Sequence, residues 1–135
     1  MVTAAQRRLF DRLLDELVEV LPEPIVELFD ETPLIVEDEP DEQTKQEVLG
    51  PDGDDLLGVF TGAAITEKSV EDSGHAPDQI NVYRGPLIRL ANDDAAEAGM
   101  TFDEALYEQI RVTVLHEVGH HFGLDEDDLD ALGYA

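Results

Sequence analysis

Two histidines and a glutamate near the C-terminal end of the chain have the residue types and the spacing of a metal-dependent hydrolytic site. His116 and His120 are four residues apart, so on a helix both imidazoles project from one face, about one turn from each other. Two such nitrogens can bind one Zn²⁺ at about 2.0–2.1 Å. Glu117 lies on the flank of that face, where its carboxylate can take a proton from water that the metal activates. The spacing therefore predicts a zinc site with His116 and His120 as ligands and Glu117 as general base.

A catalytic zinc ion needs a third protein ligand, and the residues that follow the histidines offer only carboxylates. The chain contains no cysteine, which excludes thiolate ligands and disulfide bonds. Gly123 stands three residues after His120, where it is expected to end the helix and let the chain turn back towards the metal. The acidic candidates beyond this turn are Asp125, Glu126, Asp127, Asp128 and Asp130.

The motif reads His116-Glu117-Val118-Gly119-His120-His121-Phe122-Gly123, followed by these acidic residues. It resembles the zincin metallopeptidases, and more narrowly a family of small bacterial zincin-like proteins, which carry segments similar to residues 82–86 and 132–134. The resemblance implies a minimal zincin domain and places the third metal ligand at Glu126, three residues after Gly123, with Asp127 as the next candidate. The larger metzincins have a methionine turn after the third ligand and a lower subdomain, and we expect neither in this domain. We therefore expect action on peptides or unstructured segments.

The hydrophobic pattern predicts a small α+β fold for the elements that must position this site. A first helix is predicted from Ala4 to Leu21, because a capping box precedes it and Pro22 follows it. A second helix, Phe102–Phe122, carries the histidines and begins at the capping box of Thr101 and Glu104. Three short strands are predicted between them, at Leu34–Val36, Leu56–Phe60 and Ile80–Tyr83. We expect residues 1–135 to form one minimal zincin-like domain, with a short mixed sheet, a backing helix and the active-site helix.

Parts of the chain outside these elements carry weaker patterns. Ile25–Phe29 is ambiguous between a short helical turn and buried coil, and the acidic, aperiodic stretch Asp38–Asp55 is predicted to be a surface loop. On the active-site helix, apolar side chains recur at helical spacing beside the histidines, and we expect them to pack on the sheet. They are Leu106, Ile110, Val114 and Val118.

Charge and composition limit the possible partners. The chain has 33 acidic and 8 basic residues, which gives a formal net charge of −25. Such a charge repels a phosphate backbone, so nucleic acid is not an expected partner. No apolar run is long enough for a membrane span and no signal-peptide pattern is present, so we expect a cytoplasmic protein. The charge either keeps a solvated surface soluble or favours a cationic substrate or partner.

Further side chains could assist hydrolysis. Tyr83 or Tyr134 could donate a hydrogen bond to an oxyanion, although packing explains each of them more simply. His121 is expected to pack or to support a ligand rather than to bind the metal. Arg84 and Arg89 are expected to pair with the acidic surface, or else to orient a substrate carboxylate.

Together these patterns predict a zinc-dependent hydrolase, a metallopeptidase in which Glu117 assists the attack of water on a peptide bond. The substrate would be a peptide or an unstructured protein segment, and the Ile80–Tyr83 strand could bind it as an exposed sheet edge does. The alternative is a zincin-fold metal-binding or protein-interaction module with little or no catalysis. Glu117 favours the enzyme, because a purely structural zinc site does not need a base.

Overall fold

The structure is a computed structural model that describes residues 2–49, 55–61, 78–121 and 127, and for His121 the backbone alone. The described helices are α1 (Ala4–Val20), α2 (Glu23–Glu31), α3 (Glu42–Leu49), α4 (Arg84–Ala98) and α5 (Phe102–His121). The described strands are β1 (Leu34–Glu37), β2 (Gly58–Thr61) and β3 (Gln79–Tyr83). These elements form a small α+β fold, as the sequence predicts, and α5 carries both histidines. None of the described helices is long and apolar enough to cross a membrane.

The three strands form one mixed sheet in the order β1–β3–β2. β1 pairs with β3 in parallel, with Leu34 opposite Ile80, and β2 pairs with β3 antiparallel, with Gly58 opposite Val82. The expectation that Ile80–Tyr83 forms an exposed edge is therefore wrong, because β3 is paired on both sides. Its apolar side chains explain this central position, since Ile80 and Val82 are fully buried. The edge strand that packs against α5 is β2.

The core lies between the sheet and helices α1, α4 and α5. α5 is its central element, because it packs against α1, α4, β2 and β3. The apolar arc predicted on α5 is buried as expected, since Leu106, Ile110, Val114 and Val118 are at most 4% exposed. Burial of this arc fixes the rotation of α5 about its axis and leaves His116 and His120 on the adjoining face, outside the core.

The predicted capping box of α1 forms in full, whereas at α5 Thr101 caps the helix and the Glu104 side chain accepts from the Thr101 hydroxyl and not from its backbone N–H. These contacts explain where α1 and α5 begin. The Gln6 N–H donates to Thr3 Oγ1 at 3.1 Å, and the Thr3 N–H donates to the Gln6 side chain at 2.9 Å. The Glu104 N–H donates to Thr101 Oγ1 at 3.2 Å. These bonds satisfy backbone donors that the first turn of a helix otherwise leaves unpaired.

Two helices lie where the sequence pattern predicts a loop or is ambiguous. Ile25–Phe29 is helical within α2, whose first turn accommodates Pro24 because that position needs no hydrogen bond from its nitrogen. The prediction of a loop over Asp38–Asp55 is wrong for Glu42–Leu49, which form α3. Asp41 caps this helix by accepting the Thr44 N–H at 2.7 Å. None of its residues is buried, so the sequence has no apolar stripe that would reveal it.

α4 has no counterpart in the predicted elements. It begins directly after β3, and Gly85 and Pro86 in its first turn read as a turn signal in the sequence. The helix buries Leu87, Ile88 and Ala91, and it ends at Gly99 in the left-handed conformation that glycine adopts without strain. α4 therefore supplies the side of the core that faces α5.

Candidate functional site

His116 and His120 lie side by side on α5 with their ring nitrogens together. The two Nε2 atoms are 2.9 Å apart, and the ring planes are nearly perpendicular, at 84°. His116 is half-buried and His120 is exposed. Both Nε2 atoms therefore point at one small region at the surface of the helix.

These two nitrogens fit a shared metal ion. Zinc bonds of about 2.0–2.1 Å at a tetrahedral angle hold two ligand nitrogens about 3.3 Å apart, so the rings need to separate by only a few tenths of an ångström. Glu117 adds a carboxylate oxygen, and the three candidate ligand atoms all lie within 4.8 Å of one another. Within the described part of the chain, this is the one group of three or more such side chains that could hold a metal ion.

Glu117 is buried beside the histidines, with 7% of its surface exposed. Burial raises the pKa of its carboxyl group to about 7, and a hydrogen bond from the backbone N–H of Phe60 opposes this rise. Its Oε2 atom has no hydrogen-bond partner among the described residues. A carboxyl group with a pKa near neutrality can accept a proton and release it again, which is the property that a general base and acid needs.

The hydrogen bond to Glu117 comes from the outer edge of β2. The Tyr83 N–H donates to the Leu57 carbonyl at 3.0 Å. Because pairing in an antiparallel ladder alternates, residues 57, 59 and 61 bond to β3, whereas the backbone groups of Gly58 and Phe60 point away from it. Glu117 occupies one of these outward groups, the Phe60 N–H. The sequence gives no signal for this role, because Phe60 contributes its backbone and not its side chain.

Gly58 allows α5 to approach β2 closely. A Cβ atom on this residue would lie 2.9 Å from Thr113 Cγ2 and 3.0 Å from the Asn81 carbonyl oxygen. It would also lie 3.6 Å from Glu117 Cγ, so the contact is next to the candidate base. A side chain here would push β2 and α5 apart. Glycine inside a predicted strand is the sequence signal that could reveal this close approach.

A cavity of about 330 Å³ opens beside His116 and Glu117. Its other lining residues are uncharged, and they are Leu57, Gly58, Val112 and Thr113. A larger cavity of about 560 Å³ lies between α3 and α4 and includes neither histidine nor Glu117. We place the candidate site at the smaller cavity, because there, among the described residues, a candidate metal-binding pair lies next to a carboxyl group with a raised pKa.

The predicted third ligand, Glu126, lies outside the described residues, as do Tyr134 and the side chain of His121. Asp127, the next candidate, is described and exposed. The choice between Glu126 and Asp127 therefore stays a prediction.

Tyr83 is buried at the end of β3. Successive residues of a strand face opposite sides of the sheet, so Tyr83 and the core residue Val82 point to different faces. Burial, and then the nearby charges of Glu37 and Asp41, raise the pKa of the Tyr83 hydroxyl to about 12. This environment agrees with the interpretation of Tyr83 as a packing residue.

Arg84 and Arg89 both pair with acidic side chains, which agrees with the first of the two roles predicted for them. Arg84 contacts Asp11 and Asp38, and Arg89 contacts Glu39 and Asp55. The Arg84 guanidinium also lies 5.8 Å from the centre of the Phe10 ring. These contacts join α4 to α1 and to the segments that follow β1 and precede β2.

Comparison with known proteins places this site in a family. The sequence profile of the zincin-like metallopeptidases matches residues 29–134, about four fifths of the chain. The matched region contains the three strands, α4 and α5, and so includes His116, Glu117 and His120. No curated protein matches the chain. The length of the family match and the geometry on α5 agree, and the chain belongs to the zincin-like metallopeptidase family.

Proposed function

We propose that this protein is a zinc-dependent hydrolase that cleaves peptide bonds. The observation that carries the proposal is the geometry of one helix face, where two Nε2 atoms 2.9 Å apart lie next to a buried carboxyl group. Membership of the zincin-like metallopeptidase family supports a metal ion and, at family level, a peptidase. Zinc suits a set of imidazole and carboxylate ligands. We also propose that the protein is cytoplasmic and that it binds neither nucleic acid nor membranes.

Each residue of the site has a chemical role in this proposal. His116 and His120 would hold the ion, and Glu126 is the proposed third ligand. Zinc, when bound, supplies Lewis acidity that polarises the substrate carbonyl and lowers the pKa of water. Glu117 takes a proton from the attacking water as the water oxygen bonds to the carbonyl carbon. It then passes this proton to the nitrogen as the C–N bond breaks, which yields a carboxylic acid and an amine.

We propose that the substrate lies extended along β2, because this edge borders the site and the outward backbone groups of Gly58 can pair with a peptide while the Phe60 N–H binds Glu117. The cavity beside His116 would take an uncharged side chain next to the cleaved bond, since Leu57, Val112 and Thr113 line it. The net charge of −25 would attract basic residues elsewhere in the peptide. An unstructured peptide with both features is the preferred substrate class.

The second candidate function is a metal-binding or protein-interaction module without catalysis. One observation supports it, since the candidate base already accepts a hydrogen bond from Phe60 and is held against β2. Catalysis accounts better for the burial of Glu117. Burial destabilises the charged form of its carboxyl group, and a protein that only binds a metal or a partner would have no use for this cost.

A peptide-library cleavage assay with the zinc-loaded protein tests the proposal. We expect cleavage that a chelator removes and added zinc restores. The matched variant is Glu117→Gln, which keeps the size of the side chain but cannot accept the proton, and it should bind zinc yet cleave about 10²–10⁴-fold more slowly. Cleavage that persists in this variant would show that Glu117 is not the base. Binding of library peptides without any cleavage by the wild type would favour the module.

A further inference from the structure

Arg89 on α4 holds two carboxylates at once. Its Nε and Nη2 atoms donate to Asp55 at 2.9 and 3.0 Å. Its Nη1 and Nη2 atoms donate to Glu39 at 3.0 Å each. The hydrogen bonds to Asp55 and Glu39 raise the pKa of Arg89 further above its ordinary range, so its charge is fixed. One guanidinium therefore binds two acidic residues in a paired, planar geometry.

The two carboxylates lie on either side of α3 in the chain. Glu39 follows β1, and Asp55 precedes β2 by three residues. Arg89 thus fixes to α4 both ends of the segment that leaves β1 and returns as β2. Since α3 itself buries no residue, its packing cannot define where β2 begins. Residues 55–57, which lead into β2, are held by two contacts. Arg89 binds Asp55, and the Tyr83 N–H donates to the Leu57 carbonyl.

The position of β2 matters for the candidate site. Its Phe60 N–H donates a hydrogen bond to Glu117. Gly58 lies so close to Thr113 on α5 that a Cβ atom would not fit between them. Leu57 and Gly58 also line the cavity beside His116. A small displacement of β2 would therefore change both the orientation of Glu117 and the shape of the cavity.

We propose that Arg89 is a positioning residue: by holding Asp55 and Glu39, it fixes the edge strand β2 against α5 and so orients Glu117 and shapes the cavity. The proposal rests on the proposed function, since it assigns Arg89 a part in that reaction without contact with the substrate. Arg89, Glu39 and Asp55 are 49%, 45% and 40% exposed in their side chains, so the pairs add little to global stability. The effect of Arg89 is local to β2.

Arg89→Met, with Arg84→Met as the matched control, tests this role. Arg84 lies on the same helix and also binds two carboxylates, but they belong to α1 and to the residue after β1. In hydrogen exchange, Arg89→Met should speed exchange of residues 55–61 about tenfold, and Arg84→Met should leave that segment unchanged. With zinc bound, kcat/KM should fall about tenfold in Arg89→Met, while zinc affinity stays within about twofold.

Two milder variants keep the test decisive if Arg89→Met folds poorly. Asp55→Asn should reproduce the faster exchange of residues 55–61, whereas Glu39→Gln should change it less, because Glu39 is on the far side of α3. Unchanged exchange of this segment in Arg89→Met and Asp55→Asn, or equal acceleration in Arg84→Met, would overturn the proposal. The hydrogen-exchange measurement does not depend on cleavage. If the protein cleaves no peptide, the proposed function is refuted, but exchange of residues 55–61 still tests whether Arg89 fixes β2.

Discussion

Gly58→Ala should separate β2 from α5 and lower both stability and activity. The added Cβ would lie 2.9 Å from Thr113 Cγ2, a distance that real Cβ contacts essentially never show, and 3.0 Å from the Asn81 carbonyl oxygen. The second contact is with the backbone of the central strand, which cannot move away without breaking the sheet. Gly58 does not have a positive φ, so the expected cost is steric and not conformational.

The size of the effect follows from two opposing terms. Overpacking by one methyl group in a tightly packed site costs about 1–3 kcal/mol. Alanine restricts the unfolded chain more than glycine, which returns about 0.4–1 kcal/mol. Two contacts at or below 3.0 Å place the overpacking cost in the upper half of its range. The net loss in the free energy of unfolding should therefore be about 1–2.6 kcal/mol, which lowers Tm by about 3–10 °C in a domain of this size.

Urea denaturation of four proteins measures this cost and its cause. They are the wild type, Gly58→Ala, Thr113→Ser and the double variant. Serine lacks the methyl group that the new Cβ would meet, so the double variant should recover about 1 kcal/mol relative to the sum of the single changes. If the losses in the free energy of unfolding of the two single variants simply add in the double variant, the Thr113 methyl group is not what the new Cβ meets. A Gly58→Ala protein as stable as the wild type, with unchanged cleavage, would refute the close contact between β2 and α5.

The other predictions concern the third ligand, acid and salt. Glu126→Ala should weaken zinc binding by at least about tenfold while Asp127→Ala binds normally, as measured by competition with a chelating dye; the reverse pattern would assign the ligand to Asp127. A hydrogen bond from Arg7 lowers the pKa of Asp38 in the folded protein, and one from Arg89 lowers the pKa of Asp55. The stability that these two carboxylates contribute is therefore present above the pKa of an aspartate in the unfolded chain, about 3.9. It is lost as the pH falls through their lower pKa values in the folded protein. These pairs are partly exposed and contribute little, so below about pH 4 the urea midpoint should fall only slightly less steeply in an Asp38→Asn, Asp55→Asn double variant than in the wild type. Screening should weaken the self-repulsion of a chain with a net charge of −25, so Tm should rise between low and moderate NaCl, and a flat or falling Tm would contradict this.

Helix α5, which carries the candidate site, could be predicted from the sequence because local and tertiary signals agree on it. Thr101 and Glu104 cap its start, and the buried row from Leu106 to Val118 gives it helical periodicity. The same row sets the rotation that brings His116 and His120 together. Their relation to Glu117 follows from helix geometry alone, so the sequence suffices for this part of the site.

The surroundings of the site could not be predicted in the same way. Local hydrogen bonds stabilise α3, such as that from the Thr44 N–H to Asp41. Because the helix buries no residue, its sequence has no periodic apolar residues that would predict it. The central position of β3 depends on which strands pair, and a short apolar run does not reveal its neighbours. The bond from Phe60 to Glu117 depends on the register of β2 with β3, because a shift of one residue would turn the Phe60 N–H away from α5.

The zinc content of the purified protein tests the metal site most directly. Wild-type protein, loaded with zinc and dialysed, should retain about one Zn²⁺ per chain, measured by mass spectrometry of the metal. The Glu117→Gln variant should retain the same amount, because the proposed role of Glu117 is that of a base and not of a required ligand. The His116→Ala, His120→Ala double variant should retain none. Stoichiometric zinc in that double variant would contradict the assignment of the site to α5.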